Sequence, residues 1–420
     1  MSSPVSEKKT GYRSVLTQKE YCKLILSNLI NRFGDSIDSI AFTWLVYAIT
    51  NNAAWSAIIF GVNKLPTIFL QPIAGAVVEH RNKKSIMIQT NIVRGICVTC
   101  IAAAYWAGIL KPWMLIITTL IISSVEAFCL PASSAVIPRI LKKEYFEFGI
   151  SLNASASNIV ELIGLGMAGF IIARFGIVTA ILIDAATFFG SSLLIAAIKT
   201  GEGVGERKKV DVAGCFRLVK EGADYVKTRR IVLNFIVLAV LANAMFVPFN
   251  SLQAPLAKEI LGSGETMISV LSIALSAGML CASVMFPYIA AKMSGKSLVA
   301  LGGMSFGVYY AALTGIGRFI TNELYRYVAV FVFTFIAGFL VTQLSTYINV
   351  AFLKSVEQEY LARSAAIMNA AGASAVPLVS FLISAVVSVI STEMVFLCAG
   401  IFLIIVIGYL SVTMNFETES

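Results

Sequence analysis

Charge is what this sequence has least of. Only 13% of its 420 residues are Asp, Glu, Lys or Arg, against about 25% in soluble domains. Hydrophobic residues make up 58%, and the mean hydropathy is +0.85. A water-soluble fold of this composition would expose apolar patches larger than soluble proteins carry. Histidine is limited to His80, and the seven cysteines (Cys22, Cys97, Cys100, Cys129, Cys215, Cys281, Cys398) are scattered and odd in number. That excludes a framework of clustered disulfides. Cys97 and Cys100 form a CxxC inside an apolar run without a second pair, so buried thiols are expected there, with no metal site and no cofactor. The chain has no GxxxxGK[ST] loop, so ATP drive within it is not expected. Its first residues lack an apolar core followed by a small-residue cleavage site, so they read as a cytoplasmic tail, not a signal peptide.

What the chain does have is long apolar runs. A helix needs about 20 mostly apolar residues to cross a hydrocarbon core about 30 Å thick. Twelve such runs lie near 24–49, 54–78, 85–108, 113–140, 149–173, 177–198, 231–256, 265–291, 297–317, 324–352, 364–389 and 393–414. They are too long and too uniformly apolar for barrel strands. The expected fold class is therefore an all-α membrane protein with twelve transmembrane helices.

Lysine and arginine set the orientation. With the N-terminus inside, 24 of them fall on cytoplasmic segments and five on outer ones, while Arg32, Lys64 and Arg94 lie within spans. Both termini are expected in the cytoplasm. The net charge of +9 then reports topology, and no nucleic-acid partner is expected, since that would want bases clustered on one soluble face.

The longest polar stretch, 199–230, follows the sixth run and divides the chain. The expected organisation is a tail (1–23), a six-helix bundle (24–198), a cytoplasmic linker (199–230), a second six-helix bundle (231–414) and a short tail (415–420). In the linker, Val212, Phe216, Val219, Ala223 and Val226 recur at helical spacing opposite Arg217, Lys220, Glu221, Asp224 and Lys227. That pattern predicts an amphipathic helix on the inner membrane surface. A tight basic link after the second run, Gly75 to Lys84, is echoed after the eighth by Tyr288 to Lys296. Two repeated halves with a site between them is a transporter plan.

Ionisable groups in mid-membrane cost roughly 2.5–3.5 kcal/mol or more each and point to function. Asp35 lies about 16 Å into the first span, with Asp38 a turn further, and Glu126 and Glu161 reach similar depth in the fourth and fifth. A carboxylate walled by apolar groups can exchange a proton near neutral pH, so a proton and a cationic substrate could compete for these four acids. Arg32, three residues from Asp35, is a candidate helix-face partner for it. Asp184, shallower in span six, reads as structural. In the second half, Asn243, Asn250, Gln253, Gln343, Tyr347 and Asn349 are polar candidates for the substrate cavity, some of which must instead bond backbone or neighbouring helices.

Several stretches resemble the major facilitator superfamily, in particular its macrolide-efflux and enterobactin-exporter branch. They are NRFGDSIDSIAFTWLVYAIT in span one, LPTIFLQPIAG in span two, CLPASSAVIPRIL at the end of span four, and FGIVTAILIDAATFF in span six. The link after span two matches the family's glycine, acid and basic signature through Gly75, Glu79, Arg81, Lys83 and Lys84. LGMAGFI resembles the antiporter motif of span five, with Leu165 in its proline position. The resemblance implies two pseudo-symmetric six-helix halves and a secondary transporter of the bacterial inner membrane, with a monomer expected. It implies export of amphipathic small molecules coupled to protons, or alternatively release of a siderophore or other metabolite, or lipid flipping. It also implies a gating role for Gly75, Glu79, Arg81 and Lys83, with Arg94 as a possible partner of Glu79.

Overall fold

Local sequence signals punctuate the helices where the runs suggested. Asn82, Ser294 and Asn322 cap helix starts, their side chains accepting from the backbone N–H three residues on, as short polar side chains do at N-caps. Asn51 (φ 46°) and Gly176 (φ 84°) take left-handed φ at helix ends, a conformation that Gly and Asn tolerate best. Pro112 opens a helix at its first turn, where its missing N–H costs nothing.

The computed structural model describes residues 12–79, 81–199, 224–357 and 360–413. Twelve long helices run through them: α1 Lys19–Thr50, α2 Ala53–Glu79, α3 Lys83–Trp106, α4 Pro112–Ile140, α5 Phe146–Phe175, α6 Ile177–Ala196, α7 Arg230–Ser251, α8 Glu265–Ala290, α9 Gly295–Phe319, α10 Glu323–Ser355, α11 Leu361–Val387 and α12 Thr392–Thr413. Each has at least 20 residues, or about 30 Å of rise. Eleven are long and apolar enough to cross a membrane by composition. The expectation of twelve apolar runs is met everywhere except at α1, where Arg32, Asp35 and Asp38 fall within seven residues. Most of the expected linker helix, 212–223, lies outside the described residues; 224–228 is helical and Val226 is buried. Ahead of α1, a short helix Tyr12–Leu16 buries Val15 against Tyr21, Leu24 and Leu141 in a small cluster beneath the first half.

Packing repeats with a six-helix shift. Helix α1 packs on α5 as α7 packs on α11, α2 on α4 as α8 on α10, and α3 on α6 as α9 on α12. The main contacts between halves form a matched pair, α2 with α11 and α5 with α8. Close approach is achieved by glycine: a Cβ on Gly278 of α8 would press into the backbone carbonyl of Phe335 in α10, and one on Gly338 into that of Leu275. Backbone contact of this kind is how helices associate where burial from water supplies no drive. The outer surface is apolar, with Leu193, Phe402 and Ile405 all exposed, and Trp106 and Trp113 flank the α3–α4 turn, an arrangement suited to a bilayer and its interface.

Candidate functional site: an acidic cavity beneath a sealed end

A cavity of about 320 Å³ opens between α1, α2, α3, α4 and α7. Three sequence-predicted acids meet in it, Asp35, Asp38 and Glu126, together with Arg32, Lys64 and Arg94. Apolar walls come from Phe42, Val46, Ile59, Phe60 and Ile122. Asp35 and Asp38 share a wall because they are three residues apart on α1.

The cations are largely engaged. Arg94, buried on α3, donates through Nη2 to Asp35 Oδ1 at 2.7 Å and lies 4.1 Å from the Phe188 ring centroid of α6. Arg32 forms an ion pair with Glu161 of α5. The helix-face pairing of Arg32 with Asp35 is therefore not the one adopted: each finds its partner on a different helix. Lys64 lies 5.8 Å from the Phe60 ring centroid. Asp38 and Glu126 have no direct hydrogen-bond or ion-pair partner among the described residues, although Asp35, Arg94 and Glu126 all act electrostatically on Asp38. Asp184, fully buried on α6, packs against Gly34 of α1 with both carboxylate oxygens unpartnered.

The second-half candidates separate. Asn250 reaches the acidic cavity, whereas Asn243 and Asn349 line a different, uncharged one. Gln343 is buried, donating to the Ala282 carbonyl at 3.1 Å, and Tyr347 packs edge-on to Phe235; neither lines these two cavities, nor does Gln253, in the turn after α7. Asn250 lies in the last turn of α7, two residues after Pro248. Tyr310 donates to the Met245 carbonyl at 2.5 Å and accepts from the Phe249 N–H at 3.2 Å. The phenol thus bonds both members of an i, i+4 backbone pair, next to Pro248, where the ladder is already weakened.

Of the loop motif, His80 and the side chains at Gly75 and Glu79 lie outside what is described. Arg81 is exposed and lines a groove of about 280 Å³ between α2, α3 and α4. Lys83 is buried at the start of α3. Arg94, suggested as a partner for Glu79, is engaged by Asp35.

One end of the molecule is sealed across the halves. The Tyr47 hydroxyl near the end of α1 donates to Glu259 Oε1 at 2.6 Å, and Thr392 at the start of α12 donates to Glu259 Oε2 at 2.5 Å. Glu259 sits in a short π-helical turn, Leu256–Ile260, and the neighbouring Lys258 lies 5.4 Å from the Tyr47 ring centroid. At the same end, Ser269 of α8 accepts from the Gly169 N–H of α5 at 2.8 Å, and Gly61 of α2 abuts Ser380 and Phe381 of α11. At the opposite end the ties named here stay within a half: Lys84 to the carbonyls of Ala196 and Ile198, and Arg229 to Glu357.

Sequence reasoning did not single out Lys64 or Glu259. Lys64 was legible by the same rule as the acids, as a charge within a span. Glu259 carried no such signal, since it sits in a turn.

The comparisons agree with this architecture. The MFS-type transporter YkuC of Bacillus subtilis is 24% identical over 328 residues, covering 75% of this chain and 74% of its own. The multidrug efflux pump Tap of Mycobacterium tuberculosis is 23% identical over 239 residues, covering 55% of this chain and 57% of its own. Among solved structures, the nucleoside transporter NupG superposes with a TM-score of 0.75 at 10% identity, covering 94% of this chain and all of that one. A bacterial homologue of the iron transporter ferroportin gives 0.66 at 14%, covering 94% and 98%. The model of the transmembrane secretion effector family (MFS_3) matches residues 10–419, and the chain therefore belongs to that family of major facilitator transporters.

Proposed function

We propose that this transporter is a proton-coupled exporter of amphipathic cations, set in the bacterial inner membrane with both termini in the cytoplasm. The observation that carries the reading is the imbalance within one cavity: Asp35 is held by Arg94, while Asp38 and Glu126 face the same space without a direct partner. Acids left unmatched beside apolar walls are costly as permanent charges and suited to exchanging a proton for a cation. The aromatic walls, Phe42 and Phe60, suit the apolar body of such a substrate. Efflux is also the activity named for Tap.

With the basic loops in the cytoplasm, the sealed end faces outward, so substrate enters from the cytoplasmic side. Release then requires the Tyr47–Glu259 bond to part. Protons arriving from outside neutralise the acids and displace the cation; their departure inward resets the cavity.

The test is ethidium movement in proteoliposomes under an imposed pH gradient. Glu126→Gln and Asp38→Asn are expected to abolish gradient-driven movement while the purified proteins keep wild-type chromatographic profiles. Wild-type transport indifferent to the gradient would overturn the reading.

A further inference from the structure

A second cavity, of about 200 Å³, lies between α7, α10 and α11. Asn243, Asn349, Asn369 and Ser345 supply its polar lining, and none of its lining residues carries a charge. What it offers a ligand follows from how its amides are already used. Asn243 Nδ2 donates to the Ala239 carbonyl at 2.9 Å, and Asn349 Nδ2 to the Ser345 carbonyl at 2.8 Å. A backbone carbonyl can accept only from an N–H, so these contacts fix which way each amide points. Each of these two amides has spent one of its two N–H groups, while its Oδ1 accepts from none of the described residues. Asn369, with no hydrogen bond among the described residues, adds a third amide. The surplus is of acceptors.

The site is also fitted around its amides. A Cβ on Gly372 of α11 would fall 2.8 Å from Asn243 Nδ2, so the glycine leaves room for that side chain. Asn243 lies seven residues from Asn250, which lines the acidic cavity. Seven residues are two turns, so both project from one face of α7, about 10 Å apart. A flat ligand of drug size spans that distance.

We infer that this cavity binds the hydrogen-bond-donating end of the transported molecule, an amine, amidine or arylamine N–H, while its charge is held at the acidic cavity. The inference rests on the export reading and adds a substrate class to it: cations bearing N–H donors, in preference to cations with none.

Two probes separate these classes. Ethidium carries two aromatic amines, and tetraphenylphosphonium carries no N–H. Equilibrium binding is measured with both on the purified transporter. Asn349→Leu and Asn369→Leu are each expected to weaken ethidium binding about tenfold, the equivalent of one good hydrogen bond. Tetraphenylphosphonium binding should change less than about twofold, which also reports that the variants are folded. Asn349→Asp, which keeps acceptor oxygens at the site, should retain ethidium binding. Equal weakening for both probes, no weakening for either, or a wild-type protein that binds no ethidium would overturn the inference. If the contrast holds in a protein whose export ignores the pH gradient, proton coupling fails and this assignment stands.

Discussion

Tyr47→Phe removes one hydroxyl from the sealed end and nothing else. The lost bond is the 2.6 Å contact to Glu259, which joins the first half to the second; the Thr392 contact to the same carboxylate lies within the second half and survives any separation. Of the two bonds to Glu259, only the one from Tyr47 therefore biases the sealed state against the open one. A hydrogen bond to a charged group contributes about 1.5–3 kcal/mol when well buried. Tyr47 is buried but Glu259 is exposed, so water returns part of that, leaving about 1 kcal/mol. The sealed-to-open ratio should fall about fivefold. Spin labels at Asn52 and Ser391, exposed positions in the two halves at this end, would report it in a background without native cysteines, as growth of a long-distance population. Thr392→Val should move that population less than Tyr47→Phe does. An unchanged distance distribution in Tyr47→Phe would refute the assignment of this bond as a tie between the halves.

Packing and pH supply two further expectations. Gly278→Ala places a methyl against the Phe335 backbone, which cannot rotate away as a side chain would; a loss of about 1–3 kcal/mol is expected, read as a lower melting temperature in detergent, and an unchanged melt would mean that α8 and α10 can slide apart freely. Glu20, on the first turn of α1 ahead of the apolar run, accepts the Lys199 backbone N–H at 2.7 Å and the Lys23 ammonium at 2.9 Å. These contacts, the backbone one foremost, pull its carboxyl below the usual glutamate range. A lowered folded pKa means that the tie is present above the ordinary carboxylate range and lost as pH falls through the lowered value. Hydrogen exchange at the Lys199 amide, corrected for its intrinsic rate, should therefore stay slow at mildly acidic pH and quicken only below the usual glutamate pKa. Glu20→Gln should quicken it at neutral pH.

The helices were legible because the physics that makes them is local. A run of about 20 apolar residues has nowhere else to go in lipid, and caps such as Asn82 and turns such as Gly176 are written within a few residues. Even α1 was read as an apolar run, near 24–49, although its charges keep it from being apolar enough by composition. Partnerships were less legible. Arg32 sits a turn from Asp35, so sequence proximity favoured that pair; the rotation of α1 instead turns Arg32 toward Glu161 on α5 and Asp35 toward Arg94 on α3. Such choices depend on how helices roll against one another, which no single helix encodes. The same holds for the split between Asn250 and Asn243, and for Gln343, whose amide is absorbed by the Ala282 carbonyl of a neighbouring helix.

On the export reading, the pattern of matched and unmatched charge is what suits this cavity to exchange. In this cavity one acid, Asp35, is matched with a base, whereas Asp38, half-buried, and Glu126, exposed to the cavity, have no direct partner among the described residues. Here the two ion pairs link α1 to α3 and α1 to α5, and they fix the helix that carries Asp35 and Asp38. Arg94 is further oriented by Phe188, so its hold on Asp35 is a fixed feature of the wall. Asp38 on α1 and Glu126 on α4 line the space that remains, with Lys64 of α2 in the same lining, and both lie within the field of Arg94. On the export reading, a cation or proton taken into that space is shared between α1 and α4, which has Pro131 and Pro138 inside it. On the export reading, binding at Asp38 and Glu126 together would draw α1 and α4 toward each other, whereas binding at Asp35 alone would not, because Arg94 already holds it. That difference would let occupancy of the cavity be felt as movement between helices.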